Sequence, residues 1–230
     1  MRFSLVIPCF NEEENLPRLI DSCLALIDRS DCEVIIVNNG STDKSSEILR
    51  RLLKPHRNLR AIYINKNIGY GHGILAGLKD AKGEILGWTH ADLQTDPLDC
   101  IEALSHFDTN NELFVKGKRK GRSFFENFFT ICMAIFESIL LKKLMWDING
   151  QPTLFRKEFF ESWKNPPEDF SLDLYCYYMA KIQKLKIKRI SVQFGKRFSG
   201  VSSWNTGLKS RIKFTKRTVS YSLIVKKGIS

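Results

Sequence analysis

The chain has 230 residues, 43% of them hydrophobic and 27% charged, with a formal net charge of +11. That composition suits one globular domain with a sizeable core and excludes a disordered, collagenous or disulfide-stapled chain. The opening MRFSLVIPCF is too short an apolar run for a signal peptide, and Pro8 interrupts it.

Residues 2–7 predict a short strand ending at Pro8. Asn11 is placed to cap a helix with Glu14 at its third position, running along Leu16, Leu19, Ile20, Cys23 and Leu24. Residues 33–37 predict a second strand, followed by a turn over 38–41 and a helix opened by Thr42 or Asp43. Residues 59–64 and 84–88 predict two further strands. Asp96 followed by Pro97 starts a helix to about Phe107, with proline at the first helical position. Residues 113–116 predict another strand. Strands separated by helices define an α/β protein, Rossmann-like, with a mostly parallel sheet and helices on both faces. Ligands of such sheets sit at the carboxyl ends of strands. Pro8, Asn39 and Asp92 all fall just past predicted strand ends, so one pocket can gather them.

Residues 124–144 are apolar and aromatic, but Glu126 and Glu137 leave only ten residues between them. A membrane-spanning helix needs about 20 apolar residues. The stretch reads either as helix lying in a membrane interface or as ordinary packing on the core. A strand near 153–156, a helix near 172–184 and a strand near 187–194 follow. The tail, 205–230, is a basic segment of moderate amphipathicity, with Leu208, Ile212, Val219 and Leu223 on roughly one helical face. No Asp or Glu follows Asp173, and the last fifty residues carry fourteen Lys or Arg, so the whole positive excess belongs to residues 181–230. A second basic cluster runs from Lys116 to Arg122. Such charge attracts the phosphates of nucleotides, anionic lipids or nucleic acid, or forms a solvated face. The six cysteines include no Cys-x-x-Cys pair and read as small buried hydrophobes.

His90, Asp92, Gln94 and Asp96 alternate directly after a predicted strand, so a persisting strand puts them on one side. A carboxylate and an amide oxygen are hard donors suited to Mg²⁺ or Mn²⁺, and an imidazole adds a nitrogen that Mn²⁺ tolerates better. A departing diphosphate needs such a cation. By themselves these residues are a weak signal, and a solvated turn with Asp96 as a helix cap explains them equally.

Their neighbours carry more. Ile7-Pro8-Cys9-Phe10-Asn11-Glu12-Glu13-Glu14-Asn15, Val37-Asn38-Asn39-Gly40-Ser41-Thr42-Asp43, and Asn65-Lys66-Asn67-Ile68-Gly69 with Gly73, Ala76 and Gly77 occur in that order. Together with Ala91-Asp92-Leu93-Gln94 they resemble the signatures of family 2 glycosyltransferases, in the dolichyl-phosphate mannose synthase-like branch. The likeness continues more weakly through Lys116-Gly117-Lys118-Arg119, the loop from Asp147 to Pro152, Phe170-Ser171-Leu172-Asp173-Leu174 and the loop from Arg197 to Ser203. It spans about residues 2–204 and stops before the tail.

The resemblance implies a GT-A fold and a nucleotide-sugar donor. Pro8, Phe10, Glu12, Val37, Asn39, Asn67, His90 and Ala91 then border the nucleotide. Asn39 stands where the family has Asp, so it both accepts and donates, which leaves the base open. Asp92 and Gln94 hold the metal, and His90 replaces the first Asp of the usual Asp-x-Asp pattern. Arg119, Arg122 and Arg197, with Gln151 and Ser202, face phosphate or acceptor. Asp92, Arg119 and Asp173 are the catalytic candidates. Asp173 serves as base if the acceptor is a sugar hydroxyl, and no base is needed for a phosphate monoester. Either Asp169 or Asp173 also suits a helix cap.

The implied reaction is an inverting transfer to a polyprenyl phosphate or lipid-linked saccharide, at the cytoplasmic face of a membrane that the chain touches peripherally. The oligomeric state is left open. A nucleotidyltransferase lacks support because no Gly-rich basic loop follows the first strand. A dinucleotide-binding dehydrogenase lacks it because Gly69-Tyr70-Gly71-His72-Gly73 has the wrong spacing and position. The basic tail alone suggests nucleic acid as a partner, without a recognised module, so none is expected.

Overall fold

The computed structural model describes residues 1–28, 31–54, 56–109, 112–121, 124–195, 197, 199 and 208–228. Strand β1 (Phe3–Cys9) lies third in a seven-stranded sheet. The others are β2 (Cys32–Asn39), β3 (Leu59–Ile64), β4 (Ile85–Trp88), β5 (Leu113–Lys120), β6 (Thr153–Arg156) and β7 (Lys186–Gln193). Their order is β3-β2-β1-β4-β6-β5-β7, and β6 runs antiparallel to β4 and β5 while the remaining pairs are parallel.

A parallel sheet must bury both faces, and the period of two divides the strand residues between them. Phe3, Leu5 and Ile7 pack with α1 (Leu16–Ile27), α2 (Ser45–Leu52) and α4 (Asp99–Ser105). Val6, Ile35 and Val37 pack on the other face with α3 (Tyr70–Asp80), α6 (Lys157–Glu161) and α7 (Leu172–Ile182). The fold expected from the strand–helix alternation is the one observed.

Helix α3 is not announced by its sequence, because Gly71, Gly73 and Gly77 are poor helix formers. Packing explains them. A Cβ at Gly77 would lie 2.4 Å from Val6 Cγ1, and one at Gly71 would lie 2.6 Å from the Asp169 carbonyl oxygen. The glycines let α3 lie close on the sheet and on the loop before α7.

Several boundaries differ from expectation. Asn11 does not cap α1, which begins at Leu16 after Asn15; Asn11 has φ 55°, and its Oδ1 accepts the Thr42 N–H at 2.8 Å. The second helix starts at Ser45, whose N–H reaches Asp43 Oδ1 at 2.9 Å. The helix after Asp96 is delayed by a turn in which Asp96 Oδ1 accepts the Leu98 N–H at 2.9 Å. Strands β2 and β5 outrun their predictions because their parallel partners continue, Asn39 opposite Ile64 and Lys120 opposite Gln193. Pro8 therefore lies inside β1 and not past it. Even-numbered β1 residues face β4, and β4 leaves the ladder opposite Val6, so the proline has no bond to forgo there. Five cysteines are buried as expected, but Cys132 is exposed.

Residues 124–141 form a single helix, α5 (Phe124–Leu141), which buries Ala134, Glu137 and Leu141 and exposes Phe128, Ile131, Ile135 and Ile139. The tail helix α8 (Leu208–Gly228) packs against it. Its inward face carries Ser222 and Val225, whereas Leu223, expected on the apolar face, is exposed. The reason is a polar contact: Ser222 Oγ donates to the fully buried Glu137 Oε2 at 2.7 Å. Burial pushes the Glu137 carboxyl up from 4.5 to about 7. The folded state thus keeps a proton that the unfolded state releases, and this contact loses stability as pH rises from 4.5 to about 7. Glu137→Gln is expected to raise the melting temperature by ~3 °C at alkaline pH and little below pH 5. An equal shift at both pH values in thermal melts would exclude the carboxylate as the source.

Candidate active site

After β4 ends at Trp88 the chain bends, and Leu93 takes φ 56°. Strand alternation therefore stops, so the period of two does not set His90, Asp92 and Gln94 on one side. Asp92 Oδ1 accepts the Gln94 N–H at 3.2 Å, and the buried hydroxyls of Thr89 and Thr95 meet at 3.1 Å to close the loop. The Asp92 side chain is nearly buried, and its Oδ2 accepts Arg197 Nη2 at 2.7 Å. Arg197 Nη1 lies 3.7 Å from Glu12 Oε1. Burial raises the pKa of Glu12, while Asn15 and Arg197 draw it down. Gln94 is joined to Gly195 twice, through its backbone oxygen at 2.8 Å and its amide nitrogen at 3.2 Å.

His90 stacks on Tyr70 with ring centroids 5.7 Å apart, and Tyr70 stacks on Phe170 at 4.6 Å. Burial lowers the His90 pKa against the opposing pull of Asp92 and Asp173. That favours the neutral imidazole, the form with a lone pair to give.

At the end of β2, Asn39 Nδ2 donates to the Gly69 carbonyl at 2.8 Å and lies 3.5 Å from Asn67 Oδ1. A carbonyl can only accept, so the neighbours fix which amide atom faces it. Asn39 Oδ1 is left buried and without a partner among the described residues. Phe10 is 42% exposed beside this end of the sheet. Val37 and Ala91 do not offer side chains here: both are buried, Val37 against α3 and Ala91 among the residues around α1 and α4. Asn67 is exposed except for its contact with Asn39. Its backbone nitrogen would lie 2.4 Å from a Cβ at Gly40, whose φ of +72° also calls for glycine.

A second polar group lies beneath β5 and β6. The Lys116 ammonium is fully buried, donating to Thr153 Oγ1 at 2.9 Å and to Asp173 Oδ1 at 3.2 Å. Gln151 Nε2 donates to the same Asp173 oxygen at 2.6 Å. Burial pushes the Lys116 pKa down and Asp173 pulls it back. Asp169 does not cap α7, whose N-cap is Ser171; its Oδ1 accepts the Ser171 N–H at 2.8 Å in the turn ahead of the helix. Lys116-Gly117-Lys118-Arg119 is strand, not loop, with Arg119 Nε donating to Asp147 Oδ1 at 2.9 Å. Burial pushes the Asp147 carboxyl up, but Arg119 outweighs it and holds the group below its ordinary range. Arg122 and Ser202 lie outside the described residues. The sequence reading missed Lys116 and Tyr70; a lysine inside the apolar run Leu113-Phe114-Val115 was the available signal for the first. A separate hollow of about 430 Å³, bordered by Glu112, Arg156 and Glu158, opens at the amino ends of the parallel strands, away from these groups.

A carboxylate, an imidazole and an amide are the donor types present in this loop, and the carboxylate is already paired with Arg197. Mg²⁺-type ions are held by one or two carboxylates plus substrate phosphates and water. Among the described residues no group of three or more His, Cys, Asp or Glu is placed to hold a metal ion.

A mostly parallel sheet with this loop at the carboxyl end of its fourth strand defines a GT-A domain. The chain belongs to glycosyl transferase family 2, whose family model matches residues 4–165. Over 99 residues it is 39% identical to the undecaprenyl-phosphate 4-deoxy-4-formamido-L-arabinose transferase of Photorhabdus laumondii, covering 42% of this chain and 30% of that one. The Edwardsiella ictaluri protein of the same name is 36% identical over 97 residues, 41% of this chain and 30% of its own. The chain thus matches under a third of the length of these relatives. Among solved structures, glucosyl-3-phosphoglycerate synthase from Mycobacterium tuberculosis with Mn²⁺ and UDP-glucose superposes with a TM-score of 0.75 at 18% identity, covering 99% of this chain and 79% of that one. A mannosyltransferase from Pyrobaculum calidifontis with GDP-mannose and Mn²⁺ gives 0.66 at 19% identity, covering 86% and 58%.

Lys116→Met leaves Asp173 charged and buried without its cation, which is expected to cost ~3 kcal/mol or more in urea unfolding. A loss below ~1 kcal/mol would show that the pair carries little of the fold.

Proposed function

We propose that the chain transfers a sugar from a nucleoside-diphosphate sugar to a polyprenyl-phosphate acceptor, with inversion. The observation that carries this is the meeting of Glu12, Asp92 and Arg197 at the carboxyl ends of β1 and β4, with a buried Asn39 oxygen at the end of β2 that has no partner among the described residues. The names of the curated relatives support the acceptor class.

Asp92, His90 and Gln94 would hold a divalent metal, Mn²⁺ or Mg²⁺, which would supply charge neutralisation to a diphosphate leaving group. Arg197 and Arg119 present planar forks to phosphate oxygens, Arg119 with its position fixed by Asp147. Phe10 offers an exposed ring to the base or ribose, and Glu12 accepts from a ribose hydroxyl. A phosphate acceptor arrives already anionic and needs no proton removed. Asp173, 2% exposed and held on Lys116 and Gln151, then keeps the acceptor side in shape.

Asn39 narrows the base. Its donor half is occupied by Gly69, so it offers an acceptor, as the Asp usual in the family does. Uracil and guanine carry a ring N–H for it; cytosine and adenine present a ring nitrogen acceptor instead. UDP or GDP is expected to raise the melting temperature by ~5 °C at a hundredfold excess over Kd, more with Mn²⁺ than without. CDP and ADP should not. Equal shifts with all four would retire the base assignment, and no shift with any would retire the transferase reading.

The acceptor implies work at a membrane, on its cytoplasmic face. No helix among the described residues is long and apolar enough to cross one. Helix α5 exposes Phe128, Ile131, Ile135 and Ile139 with Lys142 and Lys143 beyond its end, and α8 exposes Leu223, Ile224 and Lys226. Such a surface lies in the interface plane and is drawn to anionic lipid. In flotation at low salt the protein is expected to rise with anionic vesicles, and Ile135→Glu with Ile139→Glu to weaken this several-fold. A protein that stays at the bottom of the gradient would remove the membrane contact but not the transfer.

A further inference from the structure

The two oxygens of Asp92 have different partners. Oδ1 accepts the Gln94 N–H at 3.2 Å, while Oδ2 accepts Arg197 Nη2 at 2.7 Å. Arg197 Nη1 lies 3.7 Å from Glu12, and its Nε is buried without a partner among the described residues. The neighbouring backbone is anchored independently, by the Gly195 N–H on the Gln94 carbonyl at 2.8 Å and by Asn15 Nδ2 on the Ser199 carbonyl at 3.4 Å. The guanidinium thus occupies one Asp92 oxygen while the Gln94 N–H occupies the other.

We propose that Arg197 is a built-in counter-cation of Asp92, and that it makes divalent-metal binding conditional on diphosphate binding. This rests on the reading of Asp92 as a metal ligand. A guanidinium and a divalent ion on one carboxylate oxygen repel each other, so the metal must displace Arg197 from Oδ2. Moved away from Asp92 with nothing to receive it, the guanidinium loses its nearest and best-aligned acceptor and keeps the more distant Glu12. A diphosphate supplies the missing acceptor. Its oxygens match the Arg fork and carry more charge than one carboxylate, so Arg197 transfers to them and frees Asp92. Metal and nucleotide then raise each other's affinity by the same factor.

The test is Mn²⁺ binding to the full chain, followed by loss of the electron paramagnetic resonance signal of the free ion, with and without UDP or GDP. The wild-type protein is expected to bind Mn²⁺ weakly alone and strongly with nucleotide. Arg197→Gln removes the competing charge and is expected to tighten Mn²⁺ binding without nucleotide by about tenfold, the scale of one part-buried ion pair, while shrinking the nucleotide effect. Arg197→Lys keeps the cation and should stay near wild type. Unchanged or weaker Mn²⁺ binding in Arg197→Gln, or a lysine variant that binds as tightly as the glutamine one, would overturn the proposal. A wild-type protein that binds no Mn²⁺ even with nucleotide would overturn the metal reading, and this proposal with it.

Discussion

Pairing of charge at the carboxyl ends of the strands is the constraint on which the rest is built. Glu12, Asp92, Asp147 and Asp173 gather there, and each is matched by a cation: Arg197 for the first two, Arg119 for Asp147, Lys116 for Asp173. Carboxylates removed from water this far are costly to bury without such partners. The partners come from distant parts of the chain, so the arrangement also ties the loop after β7 to the loops after β1 and β4. A site assembled this way is held in shape before any ligand arrives, which is the condition for electrostatic stabilisation of a leaving group.

Much of the framework was legible because it rests on local pattern. β3 was found to the residue, and the helix along Leu16, Leu19, Ile20 and Cys23 was visible in its spacing even though its start was misplaced. What escaped depends on tertiary contact. Helix α3 is hidden by glycines whose reason is the proximity of Val6 and Asp169. Asn11 looked like a helix cap because nothing local reveals that Thr42 will take its side chain. The alternation drawn through His90, Asp92 and Gln94 failed at Leu93, where the backbone leaves the extended region. The residue types at the candidate site were therefore legible, but their arrangement was not. Lys116 read as one more basic residue of a surface cluster until the sheet placed it under Asp173.

The apolar faces show the same dependence on context. Residues 124–144 left membrane contact and core packing both open, and α5 has one side closed over Glu137 and the other exposing isoleucines. Helix α8 joins it through Ser222, which leaves the neighbouring Leu223 exposed. The polar contact and the exposed stripe together give this end of the molecule a surface that is basic and greasy at once.

The reversal of β6 has a geometric consequence. In a parallel sheet every strand arrives at the ligand end and departs from it, so the rim is made of exits. Because β6 runs the other way, its first residue, Thr153, stands opposite the last residue of β4. The segment ahead of it, with Asp147 and Gln151, is therefore an entrance. A single inverted strand lets the chain visit that rim while travelling in the opposite direction, and so furnishes a wall that exits alone would not supply.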